Sequence, residues 1–200
     1  MTICLDLNGF NITTDGRSLG VYSGCVLNIM DSSEEQTGYT QGSTGDNNTV
    51  GGTMFNYGTV NLYSGTMRYV YDGTGTNPTY AGGVISLGDT YPDATFNMHG
   101  GRLEGGEMVV SSSDRCYSGT IYAGKGNIGL YGGEVISGSV AAGKNGPCIY
   151  LSGAVDLTLS SNANVDNIYI TSSSAKVNVS GIYTGTVDLA YPETVTLVEG

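Results

Sequence analysis

Two hundred residues suffice for a single domain with a sizeable core, since a chain of this length buries about 70% of its unfolded surface. With 33 Gly, 15 Tyr, no Trp and only 12% charged residues, the composition favours turns and strands over helices. The net charge of −11, from 18 acidic against 7 basic side chains, excludes nucleic acid as a partner and argues against an anionic membrane surface, because both need a concentrated basic patch. Calcium and an uncharged polymer such as a glycan stay open as partners. No window approaches the ~18 consecutive apolar residues of a membrane span, so direct membrane insertion is not expected.

The first predicted element follows Met1 at once, in the strand-like Thr2-Ile3-Cys4-Leu5, with no charged leader region. A strand-like stretch near Val198 closes the sequence, and the expectation is a piece of a longer protein. From Leu5 onward a short pattern recurs: apolar, small polar, apolar, one variable residue, then often Gly. The copies are Leu5-Asp6-Leu7, Leu27-Asn28-Ile29, Val60-Asn61-Leu62, Phe96-Asn97-Met98, Ile128-Gly129-Leu130, Val155-Asp156-Leu157, Val177-Asn178-Val179 and a weaker Val195-Thr196-Leu197. Strict alternation is the period of a strand with one face buried, and each copy is too short to bury that face alone.

Stacking the copies solves this, and the predicted fold class is all-β: a solenoid of about seven to eight coils, a parallel β-helix, forming one domain over 1–200. One interior row takes Leu5, Leu27, Val60, Phe96, Ile128, Val155 and Val177; a second takes Leu7, Ile29, Leu62, Met98, Leu130, Leu157 and Val179. Pairs such as Ser64-Gly65, Gly100-Gly101, Gly132-Gly133 and Ser180-Gly181 mark the corner after the strand. Beyond it come the rows Thr66, Arg102, Glu134, Ile182 and Arg68, Glu104, Ile136, Thr184. These place Arg102 beside Glu134 and Arg68 beside Glu104 as structural ion pairs between neighbouring coils. Polar stretches over 31–52 and 72–82 read as surface excursions, with shorter ones over 111–118 and 141–147. The four cysteines, Cys4, Cys25, Cys116 and Cys148, lack zinc-ligand or redox spacing and are expected as free, partly buried thiols.

The opening ICLDLNGFNI resembles the L-D-L-N-G-x-x-I coil of pectate-lyase-like β-helix domains in bacterial surface proteins. FNMHGG at 96–101 and IGLYGG at 128–133 are similar to coils of the same adhesin-like proteins. The resemblance implies a right-handed parallel β-helix, and a secreted or cell-surface location in a bacterium with targeting signals outside this segment. It does not choose among the lyases, hydrolases, tailspikes and adhesins that share the architecture.

Polysaccharide cleavage would require a calcium-binding carboxylate cluster with a basic proton acceptor, or paired carboxylates for acid–base hydrolysis. The sequence has no Asp-Asp pair, no N-T-D string and no R-x-K string. Catalytic candidates reduce to Glu104 and Glu107, with Arg102, just past a corner. His99, the only histidine, has no evident metal or triad partner and falls in an outward row with Tyr63 and Tyr131. Beside that row run the outward polar residues of the repeat, Asp6, Asn28, Asn61, Asn97, Gly129, Asp156 and Asn178. Asn61, Tyr63, Asn97, His99, Tyr131 and Asp156 form the candidate ligand-binding face, since amides, carboxylates and aromatic rings suit a sugar. The competing reading has the amides satisfying one another along the solenoid. The expected function is a non-catalytic surface module, adhesin-like or stalk, with glycans or host or matrix proteins as partners. The alternatives are a polysaccharide lyase or glycoside hydrolase, and a tailspike-like segment.

Overall fold

A computed structural model describes residues 1–43, 52–70, 83–88, 90–108, 119–140, 147–185 and 187–191. Among them the regular structure is entirely β, every strand pair is parallel, and successive strands stack in a solenoid-like array. The first coil supplies β1 (Thr2–Asp6), β2 (Asn11–Thr13) and β3 (Leu19–Val21), and the second β4 (Val26–Met30), β5 (Tyr39–Gly42) and β6 (Met54–Asn56). The third follows with β7 (Thr59–Leu62), β8 (Thr66–Tyr69) and β9 (Ile85–Leu87), and the fourth begins with β10 (Thr95–Met98), β11 (Arg102–Glu104) and β12 (Glu107–Met108). After these come β13 (Ile121–Leu130), β14 (Glu134–Ile136), β15 (Ser139–Val140), β16 (Ile149–Ser161), β17 (Asn164–Val165), β18 (Asn167–Ile170), β19 (Lys176–Tyr183) and β20 (Asp188–Ala190).

Three ladders result. The front ladder joins β1, β4, β7, β10, the second halves of β13 and β16, and β19. A side ladder runs β2-β5-β8-β11-β14-β17, and a back ladder joins β3, β6, β9, the first halves of β13 and β16, β18 and β20. The long strands β13 and β16 cross from back to front without a break, with a register shift between Ala123 and Lys125. A small β12–β15 pair completes the array.

Alternation places one side chain in two inside each ladder. Leu27, Val60, Phe96, Ile128 and Leu157 form one buried front row, and Ile29, Leu62, Met98, Leu130 and Leu159 the next. Met67, Leu103, Val135 and Val165 fill from the side, and Met54, Ile85, Ile121, Ile149 and Ile168 from the back. Burying each such side chain contributes about 1.5–3 kcal/mol, and this shared core holds together strands of only three to five residues. At the front-to-side corner Gly101 and Gly133 adopt φ of 81° and 88°, and a Cβ on Gly101 would press on the Gly65 carbonyl of the coil before.

The register departs from the sequence expectation in three places. In the first coil Ile3, not Leu5, lies beside Leu27, and Leu5 lies beside Ile29; Leu7 is buried beyond the end of β1. Farther on Ile128 pairs with Leu157 rather than Val155, because β16 already runs inward from Ile149. The side ladder continues from Glu134 to Asn164, so Ile182 and Thr184 do not extend its rows, and Ile182 is largely exposed in β19.

The excursion expected over 31–52 also begins later. Tyr39–Gly42 is a strand of the side ladder, and Asp31 is a buried anchor for the turn that leads to it. The excursion over 72–82, most of those over 111–118 and 141–147, Cys116 and the last repeat copy at Val195 lie outside the described residues.

Candidate functional site

On the front ladder the half-buried Asn28, Asn61 and Asn97 stand in one outward row. Asn61 Nδ2 donates to Asn28 Oδ1 at 2.8 Å, and Asn97 Nδ2 donates to Asn61 Oδ1 at 2.9 Å. At the lower end Asn28 Nδ2 points to Cys4 Sγ at 3.6 Å, so Cys4 occupies the place expected for Asp6. The row ends above Asn97 at Gly129, where the Tyr131 ring occupies the space a Cβ would need. Each amide in the row thus spends its directional capacity on a neighbour, as in the reading of mutual satisfaction.

The three candidate rings form a second row. Tyr63 and His99 stack with centroids 4.9 Å apart and planes at 10°, and His99 and Tyr131 follow at 5.2 Å and 23°. All three are exposed. Their flat faces are turned toward one another, so the stripe offers solvent ring edges, a phenol at each end and an imidazole between. Hydrogen bonding is therefore open to this stripe, whereas stacking of a flat ligand is restricted to its two ends.

Asp156 does not join this row. Its register partners are Asn127 and Lys176, two residues along the strand from the Asn row, and its carboxylate lies 3.7 Å from Lys176 Nζ.

The predicted charge ladder is half formed. Arg102 Nη1 meets Glu134 Oε2 at 3.0 Å, while its Nε takes Glu104 Oε1 at 2.6 Å on the same strand. Arg68 is in register with Glu104 but makes no ion pair with it: the guanidinium lies 3.6 Å from the Tyr39 ring centroid and donates to Gln41 Oε1 at 2.7 Å. Tyr39 and Gln41 belong to β5, the strand that the sequence reading assigned to an excursion, and they draw Arg68 down the stack. Glu104 is engaged by Arg102; the side chain of Glu107 lies outside the described residues.

Three groupings escaped the sequence reading. Asp31, 2% exposed, accepts from Gly9 N–H at 2.8 Å, Ser33 N–H at 3.1 Å, Ser33 Oγ at 2.7 Å and Gly38 N–H at 2.5 Å. Burial pushes its carboxyl upward, but these bonds outweigh it and hold the group below the usual carboxylate range. On the back face Tyr22, Phe55, Tyr57 and Tyr91 form a chain of ring contacts with centroids 4.4–5.2 Å apart, and the Arg17 guanidinium lies 4.7 Å from the Phe55 centroid. None of these residues belongs to the repeat pattern, though Phe55 and Tyr57 share one outward period-two face.

The third grouping is a cleft of about 540 Å³ at the corner between side and back ladders, walled by Ser137, Asn164, Asp166, Asn167, Val187 and Asp188. Nearby Cys148 is buried, its Sγ 3.1 Å from the Val135 carbonyl, and burial, with repulsion from Asp166, pushes its thiol up to about 12. Among the described residues no three His, Cys, Asp or Glu side chains gather to hold a metal ion, so a calcium centre has no assembled ligand set there.

No family model, curated protein or solved structure matches the chain.

Proposed function

We propose that the parallel coils wind as a right-handed β-helix of the pectate-lyase-like kind, and that the chain is a non-catalytic module of a bacterial cell-surface protein. In this reading it is an adhesin-like or stalk segment that presents its outer rows to glycans or to host or matrix proteins. The observation that carries the reading is coil-to-coil pairing: the Asn amides, the three stacked rings and the Arg102 cluster each use their strongest contacts on the neighbouring coil. Catalysis needs groups converging on a bond to be broken. These groups run parallel to the stacking direction instead, which suits a stiff scaffold.

A glycan array and a panel of immobilised matrix proteins, run beside reducing-sugar and unsaturated-product assays, test the reading. Retention on one surface without turnover is expected. Turnover that disappears in Glu104→Gln or Glu107→Gln would establish a lyase or hydrolase instead.

A further inference from the structure

The corner cleft is built from three successive coils: Ser137 follows β14, Asn164 to Asn167 span β17 and the start of β18, and Val187 and Asp188 open β20. Its wall is pre-set by hydrogen bonds. Asp166 Oδ2 accepts from Ser137 N–H at 2.7 Å; Asn167 Oδ1 accepts from Cys148 N–H at 2.6 Å, and its Nδ2 donates to Ser137 Oγ at 3.3 Å. The Asp188 N–H is bound to the Asp166 carbonyl at 3.3 Å, which fixes the second carboxylate one coil beyond the first.

What the cleft leaves unused defines its ligand. Asp188 and Asn164 have no side-chain hydrogen bond or ion pair among the described residues, and Asp166 keeps Oδ1 free. Two carboxylates therefore face one space, and no Lys or Arg lines it. An anionic ligand is repelled, the more so by a chain of net charge −11. A bare divalent ion asks for six to eight oxygens within about 2.6 Å, a far smaller and denser cage than this one. A neutral sugar has no use for uncompensated charge. A basic side chain fits every term: its cationic head meets both carboxylates, further N–H groups reach the Asn164 carbonyl, and its methylene stem lies along Val187.

We infer that this cleft receives a lysine or arginine side chain of a protein partner. The inference names the partner chemistry for the surface module proposed above, and rests on that reading only in taking the partner to be a protein. Its location is separate from the Tyr63–His99–Tyr131 stripe, which lies on the front ladder.

The probe is the peptide acetyl-Gly-Arg-Gly-amide, titrated into the isotope-labelled full chain by NMR, with the isosteric but uncharged citrulline peptide as control. Expected are shifts clustered at the amides of Ser137, Asp166 and Asp188, weaker binding at raised salt, and no response to citrulline. Asp188→Asn and Asp166→Asn should each weaken binding roughly tenfold or more, as loss of one charge-assisted contact implies, while Tyr63→Ala leaves it unchanged. Asp188→Asn keeps the shape of a side chain without a partner, so folding is retained. Equal binding of the citrulline peptide overturns the proposal, as do shifts scattered over exposed acids such as Asp15, Glu34 and Glu35. Calcium chloride alone occupying these amides, or maltotriose binding where the arginine peptide does not, overturns it too. Polysaccharide turnover would defeat the non-catalytic reading and leave this titration untouched.

Discussion

Asn61 donates its side-chain amide to the Asn28 carbonyl oxygen across 2.8 Å, joining coils through residues 33 positions apart. Asn97 repeats the bond to Asn61, so the central amide acts as donor and acceptor at once. Asn61→Ala should therefore cost about 1–3 kcal/mol, because it strands an acceptor below and a donor above in a half-buried row. Asn61→Asp replaces the donor with a charge aimed at the Asn28 oxygen and should cost as much near neutrality, recovering partly in acid. Urea unfolding at pH 4 and pH 7 distinguishes the two.

Asp31 predicts the acid limb of stability. Its carboxyl is held below the unfolded value of about 3.9, so the unfolded chain takes up the proton first as pH falls. The stabilisation is complete above that value and is lost as pH drops through the lower, folded one. Asp31→Asn removes this titration and should flatten the stability curve below pH ~4, measured by urea midpoints. Asp31→Ala leaves the Gly9 and Gly38 N–H groups without their acceptor, at a cost on the order of 2–3 kcal/mol.

Thiol reactivity should separate the cysteines. Cys4 is exposed, whereas Cys148 is buried with its thiol pushed up to about 12, so it stays protonated and covered near neutrality. Iodoacetamide at pH 8, read by peptide mass spectrometry, is expected to label Cys4 within minutes and Cys148 only under unfolding conditions. Early labelling of Cys148 would mean that the corner beneath the cleft opens locally.

Two glycines should respond differently to one added methyl group. At Gly153 a Cβ would overlap the Gly124 carbonyl oxygen of the preceding coil, a backbone atom that cannot rotate away. At Gly20 it would strike the edge of the Phe55 ring, which can. Gly153→Ala should cost about 2 kcal/mol or more, and Gly20→Ala under about 1 kcal/mol with a changed near-ultraviolet signal from the Tyr22–Phe55–Tyr57 contacts. Thermal unfolding followed by circular dichroism measures both.

Period two made the stacked strands readable, and with them the core rows from Leu27 to Ile128, the corner glycines, the outward Asn row and the Tyr63–His99–Tyr131 row. Alternation fixes which face a residue takes, because a slip by one turns the strand inside out, but it is blind to a slip by two. ICLDL and VDLTL each contain three alternating apolar residues, and the wrong pair was chosen in both, which misplaced Asp156. Arg68 could not be placed without Tyr39 and Gln41, which sit in a stretch too polar to signal a strand. The cleft did have a signal: Asp166 and Asp188 lie 22 residues apart, the same step as Val155 to Val177. It went unread because neither lies inside the repeat.

The unbroken strands β13 and β16 give the stack an uneven response to load. Elsewhere a coil holds its neighbour through separate short ladders that can peel one at a time. Where Ile121–Leu130 runs against Ile149–Ser161, one continuous seam serves back and front together, so tension must rupture both at once. A tether pulled from either end should therefore lose its outer coils first and arrest at this seam, leaving a resistant centre that keeps the corner cleft's Ser137 and Asp166 walls within a few coils of it.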